Sequence, residues 1–195
     1  MALEAYSDFI KVFFAIFVAM DAFGNLPILF MLTKKLSLKE RNKSVNKAVV
    51  IATILLLIFL FFGTKILGYF GISFDSFKVA GGIILLILGL RIVLGLRIVE
   101  EGASKYEVAT VPLATPMITG PAVLTLVILF VNEFGYLLTL SASLLNLLIT
   151  WIVLRQTELL YKVFGRQGSD TIARVMGLVL TALAVEFIKQ GWIGL

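Results

Sequence analysis

Two short polar segments interrupt hydrophobic stretches of the chain, and they hold the residues with the clearest potential for chemistry. The first is Asp-Ala-Phe-Gly-Asn-Leu-Pro at residues 21–27, and the second is Thr-Pro-Met-Ile-Thr-Gly-Pro at residues 115–121. Proline removes a backbone donor and clashes with the preceding turn, and glycine lets the chain leave helical dihedrals. Each segment is therefore predicted to split a helix into two half-helices. Freed N–H groups would suit a carboxylate, and freed carbonyls would suit an ammonium group or a cation.

The residues within these breaks favour a small polar ligand. Asn25 and Thr119 offer neutral donors and acceptors, and Gly24 and Gly120 leave little bulk. Two such breaks that meet at mid-membrane would match a zwitterion such as an amino acid. We therefore predict Gly24, Asn25, Thr119 and Gly120 as substrate-binding residues. The alternative is a structural proline kink in each helix, which neighbouring groups can tolerate in a membrane.

Asp21 is the one carboxylate near the centre of a hydrophobic segment, and two roles are open for it. It either caps a half-helix by accepting hydrogen bonds from free N–H groups, or carries a proton or cation that couples transport. Thr115 aligns with Asp21 at a shift of 94 residues and is assigned the same pair of roles. Glu186 is a second coupling candidate, although snorkelling to the interface is the favoured interpretation.

The composition excludes several kinds of chemistry. Among the 195 residues there is no cysteine and no histidine, which removes disulfides, thiol nucleophiles and the usual metal ligand and proton shuttle. With a single central acid, an intramembrane enzyme is disfavoured, and no glycine-rich ATP-binding motif occurs. We predict no enzymatic activity, no cofactor and no metal site. The net charge of +5 gathers in short loops and does not indicate nucleic acid.

Six hydrophobic segments position these residues. The chain is 60% hydrophobic with a mean hydropathy of +1.05, which would be unusual for a soluble domain. Each segment has about the 20 residues that cross about 30 Å of hydrocarbon, where only a helix satisfies an isolated span's backbone. The prediction is an all-α membrane protein with one transmembrane domain over residues 1–195. The segments lie at about 9–32, 46–69, 77–97, 109–131, 136–161 and 171–193.

Basic residues predict the orientation of the spans. Lysine and arginine concentrate in the first, third and fifth connections, whereas the other side keeps only Lys11, Lys65, Lys78 and Lys189. The positive-inside rule then places those three connections in the cytoplasm and both termini outside. We expect a multi-pass protein of the cell membrane.

The two halves resemble each other at a shift of 95 residues. Gly-Ile-Ile-Leu at 82–85 aligns with Gly-Leu-Val-Leu at 177–180, and Pro27 aligns with Pro121 at a shift of 94. A unit of three helices has an odd number of spans, so its copy enters from the opposite side. We predict two inverted three-helix repeats, about 1–100 and 101–195, with helices 1 and 4 interrupted at mid-membrane.

The fifth segment carries a polar stripe. Thr139, Ser143, Asn146 and Thr150 are spaced by four, three and four residues, which places them on one helix face. This face is predicted to look into the bundle. It either holds helices together or lines a substrate path.

These motifs resemble the small six-span membrane proteins of the MarC/SnatA family. Residues 21–27 are similar to its D-P-x-G-N-x-P element, and residues 112–121 are similar to the counterpart in the second half. Residues 80–83 and 174–178 match recurring pieces of the third and sixth helices. One departure is Ala22, which stands where the family usually has proline, so the first break relies on Gly24 and Pro27.

The resemblance implies a secondary transporter of small neutral amino acids such as glycine or alanine, working by alternating access and coupled to an ion gradient of H⁺ or Na⁺. It implies Gly24, Asn25, Thr119 and Gly120 as substrate contacts. The alternative is a channel or an exporter for other small polar solutes. The expected partners are the substrate and the lipid bilayer, and a homo-oligomer is an open alternative to a monomer.

Overall fold

The computed structural model describes residues 2–33, 36–96 and 118–195. These ranges contain no strand, which confirms the all-helical prediction for the described part of the chain. Their helices are α1 (Ala2–Met20), α2 (Leu26–Thr33), α3 (Leu38–Tyr69), α4 (Phe74–Val93), α5 (Pro121–Phe134), α6 (Tyr136–Arg155) and α7 (Thr157–Ile193).

Among these helices, α3, α4, α6 and α7 are long and apolar enough to cross a membrane. They correspond to the second, third, fifth and sixth predicted segments, so the chain is an integral multi-pass membrane protein. The first segment is divided between α1 and α2. The apolar part of α1 from Phe9 to Met20 is about 18 Å long at 1.5 Å per residue, which is shorter than about 30 Å of hydrocarbon.

Helix α5 lies in the interior of the bundle. Nine of its 14 residues are buried, on every face of the helix. A helix that is apolar all round is typical of a central position. By contrast, α3 exposes Ile54, Ile58 and Phe62, which present an apolar surface to lipid.

Helices α4 and α7 run antiparallel in close backbone contact. A Cβ atom at Gly82 would lie 2.9 Å from the Ala184 carbonyl oxygen, and one at Gly177 would lie 3.1 Å from the Gly89 carbonyl oxygen. The glycines therefore allow an approach that side chains would prevent.

The largest difference from the predicted segments is at the junction of α6 and α7. Helix α6 ends at Arg155, six residues before the predicted edge, and α7 begins at Thr157 and bends at Gly165 (φ 62°, ψ −171°). Hydropathy does not indicate this bend, because the bend is a change in the direction of the backbone. Only glycine readily adopts these dihedral angles.

The eight residues before the bend pack against α2. The rings of Phe30 and Tyr161 stack with centroids 4.3 Å apart, and Phe23 meets Phe164 edge to face at 6.1 Å. We call α2 together with residues 157–164 the aromatic-clamped pair. It is bounded by non-helical backbone at Asp21 (φ 41°) and at Gly165.

Candidate functional site

The first break is a compact turn whose own side chains satisfy its backbone. Helix α1 ends at Met20, and the Asp21 carboxylate Oδ1 accepts a hydrogen bond from the Gly24 N–H at 3.1 Å. Asn25 donates from Nδ2 to the Met20 carbonyl at 3.3 Å and from its backbone N–H to the Asp21 carbonyl at 3.1 Å. This geometry is a local cap, because each side chain serves a backbone group freed by the end of the helix.

Proline starts the second half-helix and does not kink a continuous one. Pro27 occupies the second position of α2, where its missing N–H costs no intrahelical bond. The chain therefore leaves helical geometry before the proline, at residues 21–25.

Of the second predicted break, residues 115–121, the structure describes residue 118 onward, up to the start of α5. Gly120 is the N-cap residue with extended backbone, Pro121 follows at the first helical position, and no side chain caps this end. Proline at this position is favoured because its fixed φ suits a helix start. Thr115 lies outside the described residues.

Thr119 faces α3. Its side chain is fully buried, and Oγ1 donates to the Ala52 carbonyl at 3.1 Å. Its predicted role as a substrate contact stays a prediction. The observed bond ties the start of α5 to the middle of α3.

Both breaks reach one cavity of about 650 Å³. Gly24 and Asn25 line it from the first break, and Gly120 and Pro121 line it from the second. Thr119 is not among its lining residues. The structure thus brings three of the four predicted substrate-binding residues to a single space.

The cavity is lined by both apolar and charged side chains. Apolar side chains include Met20, Ile28, Leu88, Ile92 and Leu180. The charged side chains are Asp21, Arg91, Arg166, Asp170 and Arg174. Arg166 Nε lies 4.0 Å from Asp170 Oδ2.

Sequence reasoning did not place the arginines in the site. Arg91 is in the last turn of α4, and Arg166 and Arg174 follow the bend in α7. The positive-inside rule accounts for such residues as interface charge. A signal was nevertheless present, since Arg91 and Arg174 lie in the third and sixth segments, which the repeat aligns with each other.

The polar stripe of α6 is directed at α1. All four side chains are almost fully buried. Asn146 donates from Nδ2 to the Phe13 carbonyl at 3.0 Å and to the Ala142 carbonyl at 2.9 Å, and Thr150 donates to Met20 Sδ at 3.6 Å. These bonds are those of helix packing, and the stripe does not line the cavity.

Comparison with known sequences gives a family for the whole chain. A family profile described as "MarC family integral membrane protein" matches residues 6–195. A UPF0056 membrane protein of Methanocaldococcus jannaschii is 38% identical over 194 residues, covering 94% of this chain and 95% of the relative.

Further relatives come from distant organisms. A UPF0056 membrane protein of Archaeoglobus fulgidus is 35% identical, covering 95% of this chain and 92% of the relative. One from Buchnera aphidicola is 30% identical, covering 95% and 93%. Their names describe membrane proteins and state no substrate. No solved structure matches the chain.

Proposed function

The chain belongs to the MarC family of integral membrane proteins, and we propose that it is a secondary transporter of small neutral amino acids such as glycine and alanine. One observation carries the proposal: Gly24 and Asn25 of the first break and Gly120 of the second line the same cavity. Interrupted helices that meet at one polar space are a recurring way in which transporters build a substrate site.

Two groups of opposite charge that line the cavity suit a zwitterion. The uncapped N-terminus of α5 carries partial positive charge, which favours a carboxylate. Asp21 contributes negative charge on the side of the first break, which favours an ammonium group. A neutral amino acid carries both charges on groups attached to the same carbon atom, and the glycines leave room for a ligand of that size.

The cavity is larger than glycine or alanine requires. Its volume of about 650 Å³ is within the range of about 300–1,000 Å³ of pockets that hold drug-sized ligands. We therefore assign substrate binding to the part of the cavity between the two breaks. We assign the rest of the cavity to the path by which the substrate enters. Alternating access requires a second conformation in which this access path closes.

The aromatic-clamped pair is the element that we propose to move. The Phe30–Tyr161 ring contact joins α2 to residues 157–164. Non-helical backbone lies before α2 at Asp21 and directly after residue 164 at Gly165. Hinges are a few terminal residues of elements that absorb changes in φ and ψ. A rotation at these two points would move the residues of the first break that line the cavity relative to α5.

The contacts of α4 with α7 support the inverted repeat. Gly82 approaches Ala184 and Ile188, and Gly177 approaches Gly89 and Ile92. At a shift of 95 residues, Gly82 corresponds to Gly177, Ala184 corresponds to Gly89, and Ile188 corresponds to the residue after Ile92. The two sets of contacts are therefore nearly the same when the two halves are exchanged. A pseudo-two-fold axis in the membrane plane produces this reciprocity, with both termini on the outer side and three helices in each half.

Uptake by purified protein in liposomes tests the function. We expect saturable uptake of labelled glycine, stimulated by an inward gradient of H⁺ or Na⁺ and accelerated by unlabelled glycine on the opposite side. Asn25→Ala should reduce uptake at least several-fold, because it removes a cavity-lining amide. Asn132→Ala is the matched control, since Asn132 is an exposed asparagine of α5 outside the cavity.

The outcomes separate the candidate functions. If uptake does not saturate and is not accelerated by unlabelled glycine, the protein is a channel and not a carrier. Absence of glycine and alanine uptake by a folded protein would remove the proposed substrate class. Equal uptake in both asparagine variants and the unmodified chain would remove Asn25 from the site.

A further inference from the structure

Two arginines of the cavity have no counter-charge in the described part of the chain. Arg91 and Arg174 both line the cavity, and neither lies within 4.0 Å of a described carboxylate. The third arginine, Arg166, has Asp170 as its neighbour at 4.0 Å. Guanidinium groups in a cavity that is also lined by apolar side chains are costly to desolvate without a paired anion.

The two guanidinium groups belong to the same end of the α4–α7 pair. Arg91 is in the last turn of α4, and Gly95 follows one turn later with φ 72°. A Cβ atom at position 95 would lie 3.0 Å from Arg174 Nη2, so the Arg174 side chain reaches the C-terminal end of α4. Glycine at this position leaves the space that the guanidinium occupies.

We propose that Arg91 and Arg174 form a carboxylate-binding pair in the cavity. This inference rests on the proposed function, in which the carboxylate is that of the transported amino acid. Guanidinium groups present several N–H donors in a planar fork that matches a carboxylate, and such charge-assisted bonds are about twice as strong as neutral ones. The pair favours an anionic group such as a carboxylate over amines, amides and polyols.

The division of charge within the cavity supports this assignment. Asp170 lies beside Arg166, and the Asp21 carboxylate accepts from Gly24. The remaining positive charge is therefore concentrated at Arg91 and Arg174. A zwitterion would direct its carboxylate to this pair, whose full charges attract it more strongly than the partial charge at the N-terminus of α5 does, and its ammonium group toward Asp21.

A lipid phosphate offers the same anionic chemistry as a substrate carboxylate. Basic residues near the end of membrane helices also contact anionic headgroups. The experiment therefore needs one arm for soluble carboxylates and one arm for lipid composition.

Equilibrium binding of labelled glycine to the purified full chain tests the pair. Competitors are acetate, which keeps the carboxylate, and glycinamide, which keeps the amine without the carboxylate. We expect acetate to compete and glycinamide not to compete. Arg91→Gln and Arg174→Gln should each weaken glycine binding at least about tenfold.

Two controls keep a folding defect separate from a binding defect. Arg155→Gln alters an arginine that lies over the Trp151 ring and outside this cavity, and it should bind glycine as the unmodified chain does. Arg174→Lys retains the positive charge but loses the fork, so its affinity should lie between those of the unmodified chain and Arg174→Gln. A melting curve for each variant verifies that it is folded.

Each remaining outcome removes a specific claim. Normal glycine binding by both glutamine variants would overturn the arginine pair and leave the transporter intact. Arginine-dependent binding of labelled acetate without binding of glycine or alanine would retain the pair and overturn the proposed substrate. Failure to bind any carboxylate would overturn both.

The lipid arm compares vesicles of phosphatidylcholine with and without phosphatidylglycerol. Stabilisation by phosphatidylglycerol that depends on Arg91 and Arg174, with glycine binding unaffected by their substitution, would assign the pair to lipid phosphate and overturn the carboxylate assignment.

Discussion

The Asp21 carboxylate lies directly over the backbone of Gly24. Its Oδ1 accepts the Gly24 N–H at 3.1 Å, and a Cβ atom at position 24 would overlap Oδ2 and lie 2.6 Å from Cγ. The glycine is thus needed for the close approach of this cap. Because Asp21 already has a positive φ of 41°, its side chain has little freedom to withdraw. We expect Gly24→Ala to reduce the free energy of unfolding in detergent by about 1–3 kcal/mol.

A second substitution identifies the source of that loss. Asp21→Gly removes the carboxylate and tolerates the positive φ, so adding it to Gly24→Ala should cost less than the sum of the two single changes. A double-mutant cycle of unfolding free energies measures this coupling. Strict additivity would show that the contact between the carboxylate and residue 24 is not the cause.

Replacing Asp21 by asparagine separates the cap from ion coupling. Asparagine keeps an acceptor oxygen and tolerates a left-handed backbone, so the turn should fold normally. We expect Asp21→Asn to leave the dependence of uptake on external pH unchanged, because the hydrogen bond to Gly24 is that of a cap. It should weaken glycine binding at least several-fold, because the negative charge that faces the ammonium group is lost. Loss of gradient-driven uptake with preserved glycine binding would instead assign Asp21 to coupling.

Thr119 should act on stability and not on substrate affinity. Its hydroxyl donates to the Ala52 carbonyl in a fully buried position, outside the cavity lining. Thr119→Val should therefore reduce the free energy of unfolding by about 0.5–1.5 kcal/mol, and Thr119→Ser should retain the bond. A tenfold weaker glycine affinity in Thr119→Val with no loss of stability would make Thr119 a substrate contact after all.

Local signals in the sequence predict the helices and the break at residues 21–25. Hydropathy marks the spans because lipid demands apolar helices, and a cluster of glycine, asparagine and proline marks unwound backbone. Gly24, Asn25 and Gly120 line the cavity because these residues form the unwound backbone itself. Their location follows from the break and does not depend on how a side chain is rotated.

Features that depend on packing were not predictable in this way. Thr119 points to α3 because of the way the non-helical segment before α5 packs against that helix, which no local pattern specifies. Arg91 and Arg174 come together only because α4 and α7 run antiparallel. The bend at Gly165 is a change of direction inside a polar stretch, where hydropathy has no contrast.

The Arg41–Glu158 ion pair predicts a pH dependence of stability. Arg41 is buried, with Nη2 3.3 Å from Glu158 Oε2, and Lys162 Nζ lies 3.0 Å from Oε1. Glu158 falls within the predicted fifth segment, 136–161, but α6 ends at Arg155, and Glu158 lies in the charged stretch of α7 before the bend, outside the apolar part of that helix. The Lys162 ammonium, and then the Arg41 guanidinium, lower the pKa of the Glu158 carboxyl from its ordinary value of 4.5.

A pKa that is lower in the folded chain contributes stability that is present above the unfolded value and disappears as pH falls through the folded value. The melting temperature of the unmodified chain should therefore exceed that of Glu158→Gln at pH 7, and the difference should shrink as the pH falls below the ordinary carboxyl value of 4.5 and through the lower folded-state pKa. Glu133→Gln, at an exposed glutamate of α5, is the matched control and should show no such difference. A constant difference across this range would exclude titration of Glu158 as its cause.

Gly165 and Gly68 form a matched pair for testing the hinge. A Cβ atom at either position would meet nothing within 4 Å, so substitution by alanine creates no clash. They differ in backbone, since Gly68 is inside α3 while Gly165 has φ 62° and ψ −171°. Gly165→Ala should reduce the free energy of unfolding by about 1–3 kcal/mol or straighten α7, whereas Gly68→Ala should leave it unchanged or raise it by up to about 1 kcal/mol.

If the aromatic-clamped pair moves as proposed, Gly165→Ala should also lower the maximal rate of glycine uptake more than it weakens glycine binding, and Gly68→Ala should change neither. Equal effects of the two substitutions on rate and melting temperature would show that the bend contributes nothing to transport.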